Sequence, residues 1–254
     1  FLGSTELDRG VGTAGSTIGG GIKEKNFLGK GINLDTNLEL SQDSVKGRFI
    51  YSKPNFNYTD NTLFTSVNTS TSDNLTDFGY KVSNIGFSLG TEFEQKENLF
   101  FSPELSIDFE DLETNSSAST NLKKQEGSYD DFYFNYGLNY DVRDSGYRPT
   151  SGNKTSFYQT VPIISDNAEF ANTFVFTQYK KLNDETNMVG KASIYLKAVN
   201  SLNSSDVRIS KRANAPYNRL RGFQKGKVGP VDNSDFIGGN YVTTLNLSTN
   251  LPGV

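Results

Sequence analysis

The residues best suited to specific chemistry lie in one polar stretch near the carboxyl end of the chain. Arg221-Gly222-Phe223 combines a permanent cation, a flexible backbone position and an aromatic ring, and Gly238-Gly239-Asn240 follows shortly after it. Glycine permits a tight bend, the ring can pack against a wall, and a desolvated guanidinium must find carboxylate or carbonyl partners. The segment is therefore either an exposed turn with a solvated Arg221 or a loop that folds back onto the protein.

Catalytic and metal chemistry has little support elsewhere in the sequence. The chain of 254 residues contains no Cys and no His, which removes thiol and imidazole catalysis, the usual zinc ligands and disulfide bonds. A nucleophile-elbow signature is also missing, which disfavours an outer-membrane protease or lipase. A net charge of −4 argues against nucleic acid as a partner. We predict no enzymatic activity, no cofactor and no metal site.

The elements that must position this stretch are β-strands, because nearly every segment between turn signals alternates apolar and polar residues. In the clearest case, aromatic and aliphatic residues at even positions from Phe132 to Val142 alternate with residues such as Asp131 and Asn139. The 168–181 segment is ambiguous, since Phe174 and Phe176 lie opposite Val175 and Tyr179. We predict twelve strands, at 3–12, 15–26, 31–41, 45–53, 62–71, 79–93, 99–111, 129–143, 154–163, 168–181, 187–200 and 237–250.

Many of these strands are long enough to cross a bilayer when tilted, and they exceed the usual five or six residues of soluble sheets. A mean hydropathy of −0.54 is compatible with that fold, because lipid-facing and lumen-facing residues alternate. Charged residues such as Glu104, Asp108 and Lys197 on the polar faces suit a wet lumen. We predict an all-β fold, a transmembrane antiparallel up-and-down β-barrel that occupies residues 1–254 as one domain. A soluble β-sandwich or β-solenoid adhesin is the alternative.

The connections show the asymmetry of an outer-membrane barrel. The two longest, 112–129 and 200–236, follow the seventh and eleventh predicted strands and therefore lie at the same end of the sheet. Connections at the other end, such as 28–31 and 95–98, are mostly short. Short periplasmic turns and long outer loops are typical of such barrels.

Four motifs in order along the chain resemble the BamA-type bacterial surface antigen family, a family of outer-membrane insertases. The stretch 219–230, followed by Gly238-Gly239-Asn240, is similar to that family's signature loop. Residues 141–152 resemble its Tyr-x-Pro-Thr-x-Gly turn, and 53–56 resemble the turn after its fourth strand. Segments 12–15 and 26–31 resemble its first hairpin and first inner turn.

The resemblance implies a barrel of about sixteen strands in which the Arg221-Gly222-Phe223 loop folds back into the lumen. It also implies an acidic partner for the loop arginine at the place of Asn246, where this chain has only a neutral amide. We expect the chain to be a fragment that lacks amino-terminal POTRA domains and about four closing strands, because two open edges are unstable in lipid.

The resemblance further implies an assembly factor of the bacterial outer membrane, which inserts client β-barrels through a lateral seam between its first and last strands. Gly10, Gly12, Gly15 and Gly19-Gly20-Gly21 would weaken the first strands and suit a movable seam, although a terminus also looks like this. Expected partners are outer-membrane lipid, unfolded β-barrel clients and, through the POTRA domains, assembly lipoproteins. The alternatives are a TamA-like or two-partner secretion transporter and a passive porin-like channel.

Overall fold

The computed structural model of the protein describes residues 2–7 and 16–250, apart from 184, 204, 225 and 234. Twelve strands form one antiparallel sheet. The first eleven pair with their neighbours along the chain, and the last strand of the sheet pairs with the eleventh. The strands are β1 Leu2–Leu7, β2 Ser16–Phe27, β3 Ile32–Leu40, β4 Ser44–Lys53, β5 Thr62–Asn74, β6 Tyr80–Lys96, β7 Leu99–Thr114, β8 Gly127–Asp141, β9 Gly152–Ile164, β10 Glu169–Asn183, β11 Met188–Ser201 and β14 Tyr241–Thr249.

The sheet confirms the predicted all-β meander, and each of the twelve predicted strands has a counterpart within a few residues. The main difference is at the last strand, which begins at Tyr241 and not at 237. Residues 237–240 leave the sheet because Gly239 instead forms a β-bridge with Ala213. The predicted 8–12 part of the first strand lies outside the described residues. Within the described part of the chain, β1 and β14 are the two edges of an open sheet.

The two faces of the sheet differ in chemistry as the alternation predicts. On β6, Ile85, Phe87 and Leu89 are about half exposed, whereas Ser88 between them is buried. Opposed residues of an antiparallel pair share a face, so the register extends these faces across the sheet. We call the face with Ile85 the outer face and the face with Ser88 the inner face.

The register also resolves the ambiguous phase of β10. Phe174 and Phe176 oppose Leu196 and Ile194, which are outer-face residues of β11. Val175 therefore points to the inner face, as does Tyr179. The outer face of β10 is accordingly the one that carries Phe174 and Phe176.

An aromatic cluster lies on the outer face towards the end of the sheet where the short turns are. Phe93, Phe101, Tyr136 and Phe157, on four successive strands, have neighbouring ring centroids 5.7–6.1 Å apart in edge-to-face or tilted arrangements. Such a belt is typical of the interfacial girdles of membrane barrels. No helix in the described part of the chain is long and apolar enough to cross a membrane.

Most connections are short, but the one between β11 and β14 folds back over the inner face; we call residues 202–240 the return loop. It contains two 3-10 helices and a small hairpin. The other connections hold one 3-10 helix and two single-turn helices, α1 and α2. These elements are η1 Phe56–Tyr58, α1 Leu75–Phe78, α2 Thr120–Lys123, η2 Ile209–Lys211, η3 Tyr217–Arg219, β12 Val231–Asp232 and β13 Asp235–Phe236.

Candidate functional site

Three consecutive residues of the return loop, Val207, Arg208 and Ile209, are buried against the inner face of the sheet. We call them the loop root. Val207 packs with Val199 and Ala213, whereas Ile209 packs with a separate cluster around Leu112. Arg208 between them is fully buried at 0% exposure. Each residue of the root thus occupies its own environment on the inner face.

Arg208 is surrounded by carboxylates from three strands. Its Nη2 atom lies 2.5 Å from Asp131 Oδ2 on β8 and 3.4 Å from Glu169 Oε2 on β10. Its Nε atom lies 3.5 Å from Glu110 Oε1 on β7, and its guanidinium stacks 4.0 Å from the centre of the Tyr129 ring. These acids are at most 3% exposed, so the ion network is shielded from solvent.

Neighbouring groups complete this network. Ser210 donates a 2.5 Å hydrogen bond to Glu110, and Lys211 Nζ lies 3.2 Å from the same carboxylate. Ser165 donates to Asp131 at 2.6 Å. Burial alone would lower the pKa of Arg208, but the surrounding carboxylates raise it above its usual range, so the guanidinium stays charged.

The opposite part of the return loop, residues 218–224, is held by fewer contacts; we call it the loop tip. Arg219 Nη1 donates to Ser193 Oγ at 2.9 Å, and its guanidinium stacks 5.3 Å from the Tyr195 ring on β11. The Arg219 carbonyl accepts a 2.7 Å hydrogen bond from Asn246 Nδ2 on β14. The tip therefore lies against the inner wall formed by the last two strands.

The predicted motif residues lie within or beside this tip. Arg221 is exposed and lines a cavity of about 320 Å³ together with Asn246, Lys191 and Arg219. Gly222 adopts φ +86°, which only glycine accepts readily, so the predicted tight bend is present there. Phe223 is 56% exposed and does not bury its ring against the wall.

The predicted partner position, Asn246, lines the same cavity as Arg221 but accepts no hydrogen bond from its guanidinium. The amide nitrogen of Asn246 donates to the backbone of Arg219, whereas its Oδ1 atom is buried and has no hydrogen-bond partner. The neutral amide thus holds the tip through a main-chain bond. The role of Asn246 towards Arg221 itself stays a prediction.

The second part of the motif lies where the return loop rejoins the sheet. Gly239 exchanges backbone hydrogen bonds of 2.7 and 3.0 Å with Ala213, and the Asn240 carbonyl accepts from Val199 N at 2.8 Å. Gly238 is buried with φ +65°, and a Cβ atom there would come within 2.9 Å of Asn214. Glycine is required because the backbone turns sharply beside another chain segment.

The turn between β8 and β9, which carries the Tyr-x-Pro-Thr-x-Gly motif, is held by local contacts. Arg143 donates two hydrogen bonds, of 2.7 and 2.6 Å, to the carboxylate of Asp141. Asp144 accepts from the Thr150 hydroxyl at 2.5 Å and from the Thr150 and Ser151 backbone. The hydrogen bond from Thr150 and those from the backbone lower the pKa of Asp144 to about 2.

Sequence reasoning missed the buried network around the loop root. Arg208 lies in an unremarkable polar connection, and its acids come from three separate strands. The alternation places Asp131 on a polar face, as the structure does, and this is the one usable signal. Nothing in the spacing shows that those faces converge on a single cation.

Comparison with known proteins agrees with the motifs and the sheet. The sequence profile of the Omp85 superfamily domain matches residues 26–254. The fold is similar to that of BamA from Haemophilus ducreyi lacking POTRA domains 1–3, with a TM-score of 0.80 and 23% sequence identity over 96% of this chain. The chain spans 51% of that structure's length. The family match and the barrel strands place the chain in the bacterial outer membrane, in contact with its lipid. Because the profile covers most of the sequence and the fold agrees with it, this chain belongs to the Omp85 superfamily.

Proposed function

We propose that this chain forms the larger part of the barrel of an outer-membrane protein assembly factor, which folds client β-barrels and inserts them into the membrane. The function is not catalytic in the enzymatic sense. The barrel lowers the barrier to insertion by presenting a strand edge and a movable wall. Family membership and the similarity to BamA support this proposal.

The observation that carries the proposal is the contact of the loop tip with the last two strands. Arg219 joins the tip to Ser193 on β11 and, through its carbonyl, to Asn246 on β14. A passive pore does not need the Arg221-Gly222-Phe223 motif or a wall that moves. A loop whose contacts with β11 and β14 break when those strands move suits a barrel whose wall must open.

The first strands are suited to form one side of a lateral seam. β1 has six residues and pairs only with the glycine-rich start of β2, where Leu2, Gly3 and Ser4 oppose Gly21, Gly20 and Gly19. Glycine has no side chain, so these three positions of β2 contribute none to cross-strand packing. We infer that an incoming client strand pairs with the β1 edge, as in other cases of β-strand addition. Gly10, Gly12 and Gly15 lie outside the described residues.

A reconstitution experiment tests the proposal. The full-length protein is placed in lipid vesicles, and folding of a urea-denatured β-barrel client is followed by its resistance to protease. We expect faster client folding than in empty vesicles, and slower folding with Arg221→Ala. Leu202→Ala, an exposed position at the start of the return loop, is the matched control.

The same assay separates the alternatives. A porin-like channel would make the vesicles permeable to small solutes without accelerating client folding. A two-partner secretion transporter would move a soluble cargo across the membrane and leave the client unfolded. Either outcome would contradict the assembly function. Assembly lipoproteins, expected through POTRA domains, are tested by adding them to the same vesicles.

A further inference from the structure

The return loop is held unequally along its length. The loop root buries Val207, Arg208 and Ile209 at 2%, 0% and 4% exposure. At the loop tip, residues 221–224 are all exposed. Gly222 and Gly226, with φ +86° and +76°, add backbone freedom on either side of Phe223.

The position of the loop root depends on buried ion pairs. Glu110, Asp131 and Glu169 are three buried carboxylates that repel one another unless a cation lies between them. The cation that reaches all three, Arg208, comes from the loop and not from a strand, as does Lys211 beside Glu110. Desolvation offsets much of the attraction in a buried ion network, but loss of one partner leaves a buried charge without compensation. The position of the loop against the inner face therefore depends on carboxylates from three strands, β7, β8 and β10.

We infer that Arg208 is a positioning residue that fixes the loop root, so that the loop tip rests against β11 and β14 until those strands move. This inference deepens the proposed function, because it names the residue that regulates the tip. Arg219 then acts as the contact that can break, with one hydrogen bond from its guanidinium, one to its carbonyl and one ring contact, none of them fully buried.

Thr244 provides a reporter for this arrangement. It lies on the inner face of β14, where it opposes Tyr195 and where η3 packs against the strand. It is 9% exposed, and its hydroxyl has no hydrogen-bond partner. Since the chain contains no Cys, Thr244→Cys introduces a single thiol in this chain and breaks no hydrogen bond.

The experiment measures the rate at which a water-soluble maleimide labels Thr244→Cys in the full-length protein in lipid, with any cysteine outside this chain replaced. Addition of Arg208→Met is expected to raise that rate more than about tenfold, because the labelled population follows the opening of the loop. Arg208→Lys keeps the charge but not the planar donors and is expected to give an intermediate rate.

Two controls separate positioning from general damage. Ser52→Cys, on the inner face of β4 and remote from the return loop, should label at the same rate with and without Arg208→Met. Folding of each variant is checked by its change in electrophoretic mobility on heating. An unchanged Thr244→Cys rate in a folded Arg208→Met protein would overturn the inference, as would an equal rise at Ser52→Cys.

A second variant covers the case in which Arg208→Met does not fold. Glu169→Gln removes one carboxylate but leaves Arg208 bonded to Asp131, and it should raise the Thr244→Cys labelling rate by a smaller factor. No rise in this folded variant would also overturn the inference. The labelling needs no client, so a protein that inserts clients with unchanged labelling rates contradicts this inference alone. If the full-length protein does not fold clients but the Thr244→Cys labelling rate rises with Arg208→Met as expected, only the proposed function is contradicted.

Discussion

The loop root and the β8–β9 turn both pair an arginine with carboxylates, but they do so in opposite ways. In the turn, Arg143 and Asp141 are two residues apart and partly exposed. At the root, Arg208 is bonded to acids 39 and 77 residues away, and all are buried. The turn can form its contacts as soon as the local chain is synthesised. The root forms only when three strands and the loop have come together.

This difference has an energetic consequence. A partly exposed ion pair contributes about 0–1 kcal/mol, because water screens the charges and the side chains lose entropy. Removal of one partner from a buried network costs about 3–5 kcal/mol, because it leaves a desolvated charge. Local contacts thus shape the turn, whereas the root determines how the whole loop sits in the barrel.

The largest expected effect comes from removing the root cation. Arg208→Met should lower the free energy of unfolding in lipid by about 3–5 kcal/mol, because Asp131 and Glu169 lose their counter-ion and Glu110 keeps only Lys211. Denaturant titration of the reconstituted barrel measures this change. Arg143→Met in the turn is the matched control, with an expected loss of about 0–1 kcal/mol. Equal losses would remove the distinction between the two regions.

The strand that connects the two regions gives the next effect. β8 runs from Asp131 at the root to Asp141 at the turn, and Leu138 lies on its outer face. Leu138→Arg should cost about 2–4 kcal/mol more than Asn139→Arg, because only the former places a charge in hydrocarbon. Titration in lipid compares the two variants. A similar cost for both would contradict the assignment of the faces.

A smaller effect is expected within the turn itself. Gly152 has φ +88°, and a Cβ atom there would lie 2.2 Å from the Val142 carbonyl oxygen. Gly152→Ala should therefore cost about 1–3 kcal/mol through backbone strain. Gly146→Ala, in the same turn with open space around it, should be nearly neutral. Thermal or denaturant unfolding of the two variants would reveal a wrong turn geometry if both were tolerated.

The smallest effect concerns pH. Folding lowers the pKa of Asp144 to about 2, so its contribution to stability is present above the unfolded pKa near 3.9 and is lost as pH falls through 2. The wild-type chain should therefore be more stable than Asp144→Asn at pH 5, with the difference shrinking towards pH 2. Unfolding midpoints measured across that range check the sign. A difference that grows on acidification would exclude the proposed hydrogen bonds.

The contrast between turn and root also explains what the sequence could predict. The faces of β6 to β8, the glycine bend at Gly222 and the turn motif depend on neighbouring residues and could be predicted from periodicity or short spacing. The Arg208 network could not, because it depends on the tertiary meeting of β7, β8 and β10. The hydrogen bond from Asn246 to the Arg219 backbone was missed for a related reason, since a search for a charged partner overlooks main-chain acceptors.

The alternation of environments at Val207, Arg208 and Ile209 limits how this connection can vary in length. Insertion or deletion of one residue within the triplet would place an aliphatic side chain among the carboxylates. It would also place the guanidinium in one of the hydrophobic clusters. Residues 221–224 at the loop tip are all exposed, so a change in length there disturbs no buried environment of this kind. We therefore expect a change in length to be tolerated better at the tip than within the triplet.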